Sequence, residues 1–146
     1  MKDVLKTVLL AVAISPLYVQ ADDITRSAAA DACLKQAGEN SADCLEAAGL
    51  ASDNKLKEAF SAKITALQNF DYTRWSQGDE ARRTQMVEAL QASQQAWTAA
   101  RDAFCTAASA SAAGTPLLAA HALSCVINMN QRRIEELALI QPESEK

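Results

Sequence analysis

The chain has 146 residues, a net charge of −4, four cysteines and a single histidine. Abundant alanine with only four glycines and three prolines is a helical composition. The mild acidity disfavours nucleic acid or an anionic membrane as partner and suits a basic one.

The first segment reads as a secretory signal peptide. Lys2 and Lys6 precede an apolar run from Val8 to Val19, and Val19-Gln20-Ala21 offers small residues where a signal peptidase reads. The run is too short for a membrane span, and no cysteine follows the cleavage point directly. Residues 22–146 are then expected to form one soluble domain, periplasmic or secreted, with no membrane span. Losing two lysines and one aspartate makes that domain one unit more acidic than the full chain.

Four helices are expected. The first runs from about Asp23 to Ala37 and ends at Gly38-Glu39-Asn40. Asn40 or Ser41 caps the second, which reaches about Phe70, with Gly49 a possible break. Asp79 caps the third, which reaches about Ala108. After a small-residue turn, Ser109 to Gly114, Thr115 caps the fourth with Pro116 in its first turn, and that helix reaches about Ile140. Residues 141–146 are a polar tail expected to fray.

Three apolar stripes recur at helical spacing: Leu56, Phe60, Ile64 and Leu67; Met86, Leu90, Trp97 and Phe104; and Leu118, Ala122, Cys125, Met129 and Leu137. Amphipathic helices with short links imply an all-α, antiparallel bundle of three to four helices. Four cysteines in an exported chain imply two disulfides, for which three pairings exist. Neighbour pairing needs only two local hairpins, so Cys33–Cys44 and Cys105–Cys125 are expected.

Several polar residues interrupt the stripes. Asp53 lies on the arc of Leu56 and Phe60, Arg101 beside Trp97, and Arg133 between Met129 and Leu137. With Cys105 bonded to Cys125, antiparallel packing puts Trp97 near Arg133 and brings Asp53, Trp97, Arg101 and Arg133 into one layer. Buried charge must pair, so Asp53 is expected to bind Arg101, Arg133 or both, with Trp97 stacked on a guanidinium. The layer is expected to fix helix register, and a catalytic role finds no support. No Ser–His–acid spacing exists, and His121 has no nucleophile beside it. His121 with Met86 or Met129 reads as packing rather than haem ligation. No C-x-x-C pair marks a metal site, so neither a metal nor a cofactor is expected.

A candidate partner-binding loop follows the second helix, where Tyr72, Arg74 and Trp75 cluster in a chain with seven aromatic residues. These residue types dominate binding hot spots. Phe70 and Trp75 would equally serve as a plug for the bundle end. The Ser109–Thr115 turn is a second candidate, small enough to enter a narrow cleft.

The C-terminal third also carries a pattern. Gln94, Ala96, Trp97, Arg101, Asp102 and Cys105 follow Q-x-A-W-x3-R-D-x2-C, and Cys125, Arg133 and Leu137 follow C-x7-R-x3-L. This resembles the lysozyme-inhibitor LprI-like domain of small secreted bacterial proteins, over about Ala32 to Leu139. Members look similar at Asp53, Trp97, Arg101, Asp102, Arg133 and the four cysteines, whereas Asn130 stands where many carry threonine. The resemblance implies a protein that is not an enzyme and that binds and inhibits lysozyme or a related muramidase. Animal-type lysozymes are basic and hold two carboxylates in a cleft, so an acidic inhibitor could be steered to them. Three alternatives stay open: an envelope helical adaptor or chaperone, an immunity protein against a secreted cell-wall-degrading toxin, and an unrecognised hydrolase, of which a pocket holding acidic residues would be the sign.

Overall fold

Residues 23–71 and 79–141 are described by a computed structural model. The expected signal peptide, the Tyr72–Trp75 cluster and most of the polar tail lie outside the described residues. Four α-helices, α1 (Ala28–Ala37), α2 (Ala42–Gln68), α3 (Glu80–Ala108) and α4 (Leu118–Leu139), make the described residues all-α, with no strand among them.

Local chemistry moves several boundaries from where the sequence put them. The first helix starts at Ala28, because Asp23 folds the preceding residues into a turn. Its Oδ1 accepts from the Thr25 amide at 3.0 Å and the Thr25 hydroxyl at 2.7 Å. Those two donors hold the Asp23 carboxyl below its ordinary range. Ser27, in extended backbone, is the true cap and accepts from the Ala30 N–H at 3.2 Å. Gly38 ends α1 at φ +53°, a conformation that side chains resist.

Ser41 occupies the cap position of α2, but its hydroxyl makes no capping bond. Gly49 does not break that helix. A Cβ there would stand 2.8 Å from Leu123 Cδ1, so the glycine permits close approach of α4. Asp79 caps α3 as its position suggests, accepting from the Arg82 N–H at 2.8 Å. One turn on, the Arg83 guanidinium bonds Glu80 and holds that carboxyl below its ordinary range. Thr115 is not the cap of the last helix. Its hydroxyl accepts from the Leu117 N–H at 3.2 Å, which closes a turn around Pro116 and delays α4 to Leu118.

The core also differs from the expected stripes. Leu56, Leu67, Val87, Leu90 and Leu137 form the main cluster, with Phe60, Ile64, Trp97 and Ile134 packed against it. Met86, Phe104 and Leu118, assigned to stripes by spacing, are exposed. In α3 the buried line runs through Val87, Leu90 and Cys105, about one residue round the helix from Met86 and Phe104. A second cluster of Ala30, Cys33, Leu45 and Ala120 seats the short α1 on α2 and α4.

Two disulfides complete the frame. Cys33–Cys44 ties α1 to α2, and Cys105–Cys125 ties α3 to α4, each with Cα atoms 5.5 Å apart. No cysteine is free. Ahead of α1, the Asn128 amide on α4 donates to the backbone carbonyls of Ile24 (3.0 Å) and Arg26 (2.8 Å). Ser27 and Ser124 share a hydroxyl hydrogen bond at 3.1 Å. No helix among the described residues is long and apolar enough to cross a membrane.

Candidate functional site

The polar residues that interrupt the apolar arcs meet where α2, α3 and α4 face one another. At the centre is Asn130 on α4, with no exposed surface. Its Oδ1 accepts from Arg101 Nη1 at 2.7 Å. Its amide donates to Ser52 Oγ at 3.0 Å and to Asp53 Oδ1 at 2.8 Å. A buried amide is stable only when both ends are bonded, and here both are.

Arg101 is held from three helices. Nη1 also reaches Asp53 Oδ1 at 3.1 Å, while Nε (2.9 Å) and Nη2 (2.8 Å) both reach Asp102 Oδ1. Its side chain is 11% exposed, whereas those of Asp53 and Asp102 are 52% and 59% exposed. The guanidinium is therefore buried and its two counter-charges stand at the surface. That differs from the expectation of a buried aspartate.

Arg133 makes a separate set of bonds and none to Asp53. Nε donates to Gln94 Oε1 at 3.0 Å, Nη2 to Ser93 Oγ at 3.0 Å, and Nη1 to Glu136 Oε2 at 2.9 Å. Trp97 links the two halves, for both guanidinium carbons lie 5.6 Å from its ring centroid. Each such contact contributes about 0.5–2 kcal/mol according to burial. The structure thus brings Asp53, Trp97, Arg101 and Arg133 together as two linked clusters, one per arginine.

Spacing missed the neutral members. Ser52, Ser93 and Gln94 look like surface residues in a helical pattern, and only the bonds that Ser52 accepts from Asn130 and that Ser93 and Gln94 accept from Arg133 reveal them. Asn130 was visible solely as a departure from the threonine of the resemblance.

The layer offers little for bond-making chemistry. Its carboxylates are engaged by guanidinium and amide. All four cysteines are oxidised, and the buried Nδ1 of His121 bonds to nothing. Among the described residues no group of three or more His, Cys, Asp or Glu is placed to hold a metal ion. In the Ser109–Thr115 turn, Ala110, Ser111, Ala113, Gly114 and Thr115 are exposed. Ser109 and Ala112 are buried, and the Ser109 hydroxyl donates to the Cys105 carbonyl at 2.8 Å.

No curated protein and no solved structure matches the chain. A family model described as lysozyme inhibitor LprI matches residues 32–137. That span takes in all four cysteines, both layer arginines, Asp53, Trp97 and Asn130, so it covers the covalent frame and the polar layer together. On that match over most of its length, the chain belongs to the LprI lysozyme inhibitor family.

Proposed function

We propose that the protein is exported through residues 1–21 and that residues 22–146 act as one periplasmic or secreted domain. In this reading it binds a lysozyme or a related cell-wall hydrolase and blocks it without catalysing a reaction. The family match over residues 32–137 carries the reading. Two disulfides fit an oxidising compartment. The net charge of −4 fits a basic enzyme as target.

The layer is assigned a structural part, holding α2, α3 and α4 in register. Tyr72, Arg74 and Trp75 are assigned to partner contact.

A turbidity assay tests the reading. Oxidised residues 22–146 should slow the lysis of cell-wall substrate by at least one enzyme in a panel of animal-type, goose-type and phage-type lysozymes. They should leave that substrate intact when added alone. A panel unaffected at micromolar protein removes the inhibitor reading, and lysis by the protein alone removes the non-catalytic one.

A further inference from the structure

The body is a three-helix bundle with a partial fourth member. Helix α1 has ten residues against twenty-seven in α2, so it covers only the first part of the seam between α2 and α4. Beyond Ala29 the seam is open. It forms a groove of about 200 Å³ lined by Ala29 of α1, by Ala48, Ala51, Ser52 and Lys55 of α2, and by Ile127, Gln131 and Ile134 of α4. Three alanines and two isoleucines line it, so most of it is apolar.

Two donors open into this apolar space. Lys55 has no ion-pair or hydrogen-bond partner among the described residues, and no acidic residue lines the groove with it. Ser52 Oγ accepts from the Asn130 amide, which leaves its own proton without an acceptor. An apolar lining beside a free ammonium and a free hydroxyl proton is complementary to one kind of ligand: an aliphatic chain that ends in an anion. The volume sets the size. It lies below the roughly 300–1,000 Å³ of a site for a drug-sized molecule, so a short chain fits and a long-chain lipid does not.

We propose that the α2–α4 groove is a binding site for a short aliphatic carboxylate, with the chain on Ala48, Ala51, Ile127 and Ile134 and the carboxylate between Lys55 and Ser52. The site is separate from the proposed contact with a lysozyme. It is nevertheless wired to the interior, because Ser52 bonds Asn130, Asn130 bonds Arg101, and Arg101 lies over Trp97. Occupancy is thus reported at Trp97 without touching it.

The test is a heteronuclear NMR titration of the disulfide-bonded protein with hexanoate, hexylammonium and acetate. Hexanoate should give saturable shifts at the amides of Ala48, Ala51, Ser52, Ile127 and Ile134, followed by the Trp97 indole N–H. Acetate, lacking the chain, should bind at least about tenfold more weakly. Hexylammonium should leave these amides unmoved. Lys55→Gln should weaken hexanoate about tenfold, in line with the loss of one charge-assisted bond. Ala51→Leu should fill the exposed side of the groove and abolish binding with the fold intact. Equal response to hexanoate and hexylammonium, an unchanged affinity in Lys55→Gln, or no saturable shift in the groove overturns the proposal.

Discussion

Asp53 shares one oxygen between a guanidinium and an amide, yet half of its side chain faces water. Its removal therefore leaves Arg101 with Asp102 and Asn130, and solvent screens what is lost. Asp53→Ala should cost about 1–2 kcal/mol in a urea unfolding curve, less than truncation of a buried ion pair. Asn130 is fully enclosed and bonds on three sides, so Asn130→Ala should cost more, on the order of 2–4 kcal/mol. The reverse order would show that Asp53, not the amide, organises the layer. Charged residues on an apolar arc announce themselves in a sequence because their burial has a large cost, which is how Asp53, Arg101 and Arg133 stood out. Partner choice was less legible. Arg133 turned to Ser93, Gln94 and Glu136, and small neutral side chains carry no mark of the bond that they will make.

At the scale of helices, order, number and pairing followed from periodicity and cysteine position, because both depend on spacing alone. Boundaries did not, since Asp23 and Thr115 each close a local turn that competes with helix. Face assignment in α3 slipped because its many alanines are compatible with almost any facing, and Met86 and Phe104 misled as the larger apolar residues. The disulfides close loops with separations of 11 and 20 residues. Replacing either pair by serine should cost about 3 kcal/mol on the loop-closure estimate, slightly more for Cys105–Cys125. Thermal unfolding of the two double variants checks both size and order. For the residues between α2 and α3, Trp75→Ala and Arg74→Ala should weaken lysozyme inhibition by about tenfold while the melting temperature hardly moves. A drop in melting temperature with inhibition retained would make Trp75 a plug for the bundle end.

For the molecule as a whole, acidity is the property to test. If charge steers the protein onto a basic hydrolase, association should slow several-fold between about 10 mM and 150 mM salt, as the screening length falls from roughly 30 to 8 Å. Dissociation should change much less. Stopped-flow mixing separates the two, and a salt-independent association rate would leave apolar contact as the source of recognition. The two covalent ties have a consequence of their own. Both stand where α2 begins, α3 ends and α4 begins, so one pole of the bundle is cross-linked covalently, whereas the other, where Lys63 Nζ donates to the Ile140 carbonyl, carries no disulfide. Opening should therefore run as a gradient along the long axis. Amide hydrogen exchange should be slowest near Cys105 and Cys125 and quicken toward Gln68, Glu80 and Leu139. A partner that reshaped the uncross-linked pole, between whose helix ends Tyr72, Arg74 and Trp75 fall in sequence, would strain neither disulfide.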